Sequence, residues 1–233
     1  KLKSKPRYAS DNIKVIAIYS NTFKTLLFTG WRTCILLIKY PKRFRILWKQ
    51  LIKIKGLFDT YNWWSRYVPV VLHLPDIFHL QWAKDIGNWY FLKEVFGCKL
   101  VLSLRGAHIN YSPIVDKTLA ETYKTYFPKL DGFHAVSHAI ALEAQKYGAD
   151  ENKMRVIHSL ISESTLELFR EPKALKNNKL HIISVGRHHW KKGYNTALDA
   201  CKLLKDQQIS FHYSIIASGE IPEELLFQRH QLD

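Results

Sequence analysis

The string SVGRHHWKKG at 184–193 concentrates the residue types that bind phosphate. Gly186 lets the backbone turn tightly, Arg187 and Lys192 stand five positions apart across the turn, and Gly193 follows where a helix begins. A helix start presents free N–H groups and the positive end of its dipole, so the segment has the makings of an anion site. The other reading is a plain βα turn carrying two solvated cations. Earlier in the chain, Arg105 and Gly106 follow the apolar run KLVLSL, with His108 three residues beyond Arg105. An arginine at the carboxyl end of a strand suits a phosphate or an acidic sugar, and Gly106 permits close approach. His108 is either a polar group facing a ligand or a solvated loop histidine. His79, near the end of DIFHL, is either a cleft residue or an inward structural one. Ser137 ends GFHAVS, where contact with a ligand competes with capping the helix that begins at His138.

These residues need strands and helices to hold them. IKVIAIY (13–19) is a short β-branched run that reads as a buried strand. Between Trp31 and Leu57, large apolar residues alternate with Lys and Arg around Pro41, predicting two basic amphipathic helices with a break. From Pro75 the order becomes regular: DIFHL strand, NWYFLKEVFG helix, KLVLSL strand, DKTLAETYKTYF helix, GFHAVS strand, HAIALEAQKYG helix, KMRVIH strand. Gly97 and Gly148 fall where helices should stop, and the alternation predicts a parallel sheet with right-handed crossovers. Asp76 and Asp131 read as strand-entry turn residues. The polar stretch REPKALKNNK reads as a linker. The rhythm then restarts with LHIISVG as strand, KKGYNTALDACKLLKDQQ as helix, FHYSIIASG as strand and PEELLFQRHQL as helix. The fold class is therefore α/β, with two doubly wound units: 1–172, and a shorter second unit at 173–233.

Composition narrows the chemistry. Among 233 residues there are 35 Lys or Arg against 20 Asp or Glu, a formal charge of +15, so the partners should be anionic. The excess is concentrated at the start, where Asp11 is the single acidic residue before Lys55. Cys34, Cys98 and Cys201 are widely spaced and odd in number, which excludes a disulfide framework and a cysteine zinc site. His188 and His189 are adjacent, a spacing unsuited to chelation on one helix face, so no metal is expected. No apolar run approaches the ~20 residues of a spanning helix. Zinc-finger, RNP-like and helix-turn-helix patterns are absent, so no nucleic acid is expected as a partner. Tyr61, Trp63, Trp64 and Tyr67 could stack on sugar rings, sit at a membrane interface or pack a core. The basic helices could lie on anionic lipid or keep their charges in water.

VGR followed by KKGYNTALDACKLL resembles the opening of the nucleotide-sugar-binding domain in glycosyltransferase family 4, whose GT-B fold sets two Rossmann-like domains around a cleft. DGFHAVSHAIALEAQKYGADENKMRVIHSLIS resembles the end of that family's acceptor domain, and DIFHLQW and VLSLRGAHIN its earlier cleft-lining strand ends. The likeness spans roughly residues 75 to 230. It implies that Arg187 and Lys192 contact the donor diphosphate and stabilise the leaving group, with Gly186 and Gly193 shaping that site. Gly219 in IIASGE would be the glycine turn beneath the nucleotide; otherwise it is a strand-terminating turn. Arg105 stands where the family commonly has histidine, a departure. The implied enzyme is a hexosyltransferase-type glycosyltransferase, retaining and metal-independent, without a cofactor. It would move sugar from a nucleoside-diphosphate-sugar to a saccharide or lipid-linked acceptor in cell-envelope polysaccharide synthesis. Its expected location is cytoplasmic, peripheral at the inner face of the membrane. The family's paired glutamates would lie after Asp233 and its first glycine-rich turn before Lys1, so the chain is expected to be a fragment, inactive as it stands. A non-catalytic basic module docking on anionic membrane or a partner enzyme is the competing class.

Overall fold

The computed structural model describes residues 22–171 and 180–232. The strand read at 13–19, most of the linker and the expected boundary at 172/173 lie outside the described residues. The chain divides into two compact units between Leu160 and Ile161.

The described part of the first unit begins with three helices, α1 (Thr22–Lys39), α2 (Pro41–Leu51) and α3 (Leu57–His73). Pro41 causes the expected break. Its ring fixes φ and its missing N–H costs nothing at a first helical position, so α1 stops at Lys39 and α2 starts at once. Gly56, at φ +94°, plays the same part before α3. The tyrosine and tryptophan group lies on α3 and is largely interior. Tyr67 is 3% exposed, packs edge-on against Trp89 and Phe91, and donates its hydroxyl to the Asn88 carbonyl. Trp64 donates its indole N–H to Thr33 Oγ1 at 3.0 Å.

The sheet follows: β1 (Ile77–Leu80), α4 (Ile86–Trp89), α5 (Phe91–Phe96), β2 (Lys99–Leu104), α6 (Gly106–Asn110), α7 (Ser112–Val115), α8 (Lys117–Tyr126), β3 (Gly132–Ala135), α9 (His138–Gln145) and β4 (Met154–Val156). The four strands are parallel in the order β1-β2-β3-β4, with Ile77 opposite Lys99, Val101 opposite Gly132 and Phe133 opposite Met154. Right-handed crossovers that keep stepping in one direction put their helices on one face. Leu100, Leu102, Leu104, Phe133 and Ala135 are accordingly buried, in one core with Leu92, Tyr123, Phe127 and Ala144. The other face carries exposed Ile77 and His79 and half-buried Val101 and His134.

Local chemistry sets the ends. Ser137 accepts from Ile140 N–H, and Asp116 from Leu119 N–H, as helix caps. Gly97 closes α5 in the left-handed region. Gly148 has φ +86°, and a Cβ there would meet Pro128 Cγ at 2.7 Å. Asp131 does more than shape a turn: it accepts from the Leu100 N–H at 2.8 Å and pairs with Lys93, tying the start of β2 to α5.

The second unit contains α10 (Glu163–Leu166), β5 (Leu180–Arg187), α11 (Tyr194–Asp206), β6 (Phe211–Ser218) and α12 (Glu223–Leu232). β5 and β6 pair in parallel from Leu180 opposite Phe211 to Arg187 opposite Ser218. α12 packs on α11, where Gln228 bonds both Asn195 and Asp199. The helix expected from Lys191 starts instead at Tyr194. Trp190–Lys192 is a separate 3-10 turn, and Gly193 at φ +67° cannot continue a right-handed helix. The chain is α/β with parallel strands in both units, as expected. Among the described residues, no helix is long and apolar enough to cross a membrane.

Burial pushes the Asp131 carboxyl upward, but the Lys93 bond, the Leu100 N–H and the charges of Lys93 and Lys153 outweigh it, so its pKa lies below the usual carboxylate value. A depressed carboxylate contributes stability that is complete above the unfolded value of about 3.9 and fades as pH falls through the folded one. Asp131→Asn is expected to cost about 1–3 kcal/mol at pH 7, with the gap to the parent protein closing below about pH 4 in chemical denaturation.

Candidate functional site

Pleating turns residues 182, 184 and 186 of β5 to its half-buried side and 183, 185 and 187 to solvent. Gly186 therefore faces the turn that follows. A Cβ at Gly186 would meet Lys192 Cε and the Tyr194 hydroxyl, each at 3.0 Å. Lys192 is thus folded back over the glycine, beside a tyrosine that is only 5% exposed. His188 completes the cluster, its ring 5.9 Å from that of Tyr194. The Tyr194 hydroxyl and His188 Nδ1 are buried without a hydrogen-bond partner. An unpaired buried polar atom is costly, so both mark positions where an incoming polar group is welcome.

Two cavities adjoin this cluster. One of about 470 Å³ is lined by His188, Tyr213, Gly219 and Arg229 among others, and one of about 250 Å³ by His188, Trp190, Tyr194 and Glu224 among others. Gly219 ends β6 at φ +94°, a strand-terminating turn that also forms cavity wall. Arg187 is exposed, and strand alternation sends it to the face opposite Gly186, so the two expected cations flank the strand end from opposite sides. Gly193 has open space around its Cβ position, so its requirement is conformational. His189 caps the 3-10 turn by accepting from Lys191 N–H. Among the described residues, no group of three or more His, Cys, Asp or Glu could hold a metal ion.

In the first unit, a polar chain runs across the open face of the sheet. His79 Nε2 lies 2.9 Å from Ser103 Oγ, which lies 3.0 Å from His134 Nδ1, and His134 Nε2 donates toward the Ile157 carbonyl at 3.0 Å. At the other end, Arg105 donates to Gln81 Oε1 at 2.9 Å, and Gln81 reaches His79 Nδ1 at 3.5 Å. Burial lowers the His79 pKa, and the charges of His134 and Arg105 lower it further. Sequence reasoning missed Ser103 and His134. Their signal was a polar residue interrupting each of two adjacent apolar strands, and register puts the two side by side.

Gly106 begins α6 with nothing within 4 Å of its Cβ position, leaving room beside Arg105. The solvated-loop reading of His108 is overturned. It sits in α6, is 2% exposed, lies tilted against the Trp82 ring and accepts the Ala83 N–H at Nδ1, leaving Nε2 buried and unpartnered. Burial, then the charges of Lys84 and Arg105, bring its pKa down to about 4. Ser137 engages its own helix, as a cap should.

Parallel α/β units with glycine turns and cations at strand ends are the architecture of nucleotide- and phosphate-binding proteins. Similarity to known proteins is more particular. The chain is 28% identical over 137 residues to WcaL of Escherichia coli (strain K12), named as a colanic acid biosynthesis glycosyltransferase, covering 58% of this chain and 33% of that protein. It is 27% identical over 152 residues to the amylovoran biosynthesis glycosyltransferase AmsK of Erwinia amylovora, covering 64% of this chain and 37% of that one. The match thus spans about a third of the length of these relatives. No protein-family model matches the chain.

A histidine kept neutral in the folded state takes up its proton only on unfolding, so stability rises with pH between the folded value of about 4 and the ordinary one of about 6.5. His108→Gln is expected to flatten this rise, measured as denaturation midpoints across that window. An unchanged slope would mean that His108 titrates normally in the folded protein.

Proposed function

We propose that this chain is the matching part of a GT-B glycosyltransferase that moves a sugar from a nucleoside-diphosphate-sugar to a saccharide or lipid-linked acceptor in cell-envelope polysaccharide synthesis. The observation that carries this reading is the strand-end cluster in which Lys192 lies over Gly186 beside the unpaired Tyr194 hydroxyl. It is supported by two relatives that are both named as glycosyltransferases of polysaccharide biosynthesis.

The chemistry follows from charge. When the anomeric C–O bond of the donor breaks, the electron pair stays with the departing diphosphate, and a cation held at its oxygens lowers the barrier. Lys192 supplies that charge from within the turn, and Arg187 from the opposite side of the strand end. The N–H groups at the start of α11 add the helix dipole. Tyr194 and His188 offer buried polar atoms to the diphosphate or to the nucleoside. With these cations at the strand end, charge neutralisation is assigned to side chains, and the resemblance to glycosyltransferase family 4 is what implies retaining, metal-independent transfer. In the first unit, Arg105 and His79 are assigned to the acceptor side.

Lys192→Ala is expected to weaken binding of a nucleoside-diphosphate-sugar by roughly tenfold to a hundredfold in calorimetry, the worth of one charge-assisted hydrogen bond. Tyr194→Phe is expected to leave the unliganded protein equally or more stable, since it removes an unpaired buried hydroxyl, while weakening the same ligand. Failure of the parent to bind any nucleoside-diphosphate-sugar, or equal binding by Lys192→Ala, would overturn the assignment.

A further inference from the structure

α1 is amphipathic the wrong way round for a helix that packs on a protein. The side it turns to its neighbours is largely small and polar: Thr25 and Thr29 are buried beside the apolar Leu36, and Thr33 accepts from Trp64 while donating to the Thr29 carbonyl. The side it turns outward is apolar. Leu26, Leu27 and Leu37 are exposed there, with Trp31 at 68% and Ile38 at 78%. Between Lys24 and Lys39 the helix carries one charge, Arg32, which is half-buried. At 18 residues it is about 27 Å long, with an uninterrupted apolar stripe and a cation near each end.

Charge around this stripe has one sign. From Thr22 to His73 there are ten Lys or Arg and a single acidic residue, Asp59, with Lys42, Arg45 and Lys49 exposed on the helix that follows. An open apolar pocket of about 420 Å³ also lies along these helices, its lining including Phe44, Leu47, Trp48, Leu51 and Leu57. Ligand cavities commonly measure roughly 300–1,000 Å³, so there is room for a hydrocarbon chain. An apolar helix face rimmed by cations fits the boundary between headgroups and acyl chains of an anionic bilayer, where stripe and charges are satisfied together.

We propose that α1, α2 and α3 form a membrane-docking layer, with α1 lying in the plane of an anionic phospholipid bilayer and its outward face at the acyl boundary. Docking of this kind needs no sugar chemistry and stands apart from the transferase reading.

Cys34 is exposed on the same stripe, following Leu27 and Trp31 and preceding Ile38 at helical spacing, whereas Cys98 is buried. In a Cys201→Ser background, an environment-sensitive fluorophore on Cys34 reports directly on that face. With vesicles of phosphatidylglycerol and phosphatidylcholine, its emission should shift to the blue and be quenched by brominated acyl chains. Vesicles of phosphatidylcholine alone should bind at least roughly tenfold more weakly, as should the anionic ones when salt rises from about 0.1 to 1 M. The double variant Leu27→Glu, Trp31→Glu should lose roughly tenfold or more in vesicle affinity, while Val115→Glu on α7, also exposed, should not. Should the double variant melt early, the Cys34 signal decides alone. No vesicle binding, or binding that leaves the Cys34 emission unshifted, overturns the proposal. So does emission already blue-shifted without vesicles in a protein that light scattering shows to be dimeric, since a second copy would then cover the stripe.

Discussion

Parallel pairing is the constraint on which the rest depends. A strand that pairs parallel to its predecessor must return to the starting edge through a crossover, and these crossovers are right-handed. In each unit the described strands therefore end at one edge and hand over to turns there. His79, Arg105, Arg187 and Gly219 lie at or near such ends because the strands before them run the same way. Polar and glycine residues at those ends cost the sheet little, since the ladder has finished. Apolar residues such as Leu102 and Phe133, two or three positions earlier, carry the packing.

The order of strands and helices after Pro75 was legible because each strand is short, apolar and bounded by a turn residue. KLVLSL is a strand to the residue, and Gly97, Gly148 and Ser137 act at helix ends as their types dictate. What was not legible depended on three-dimensional neighbours. The helix after β5 starts at Tyr194 because Gly193 takes a left-handed conformation, which a string rich in helix formers does not reveal. His108 looked like a loop residue because the five-residue α6 is too short to show a helical period. The outward face of α1 was hidden for a different reason. Apolar residues at helical spacing predict a helix equally well whether they turn toward the protein or away from it.

The two candidate sites also differ in how completely they are built. The polar chain from Arg105 to His134 is internally satisfied, each member holding a neighbour, so its geometry is fixed in advance. The cluster around Gly186 is not satisfied. The Tyr194 hydroxyl and His188 Nδ1 are buried and unpaired, and a side chain at residue 186 would press on Lys192 and on that hydroxyl. One arrangement holds its own atoms in position, and the other leaves buried polar atoms unpaired.

The sequential strand order of the first unit has a consequence for how the chain comes into being. Among the described residues, β2, β3 and β4 each pair with the described strand before them, so each of these three ladders closes a loop of one helical crossover. Contacts of short sequence separation close quickly, and the entropy lost in each closure is recovered at once by the next layer of Leu and Phe. During synthesis these four strands can therefore be added one at a time as the polypeptide leaves the ribosome, from β1 outward to β4, each finding its described partner already made.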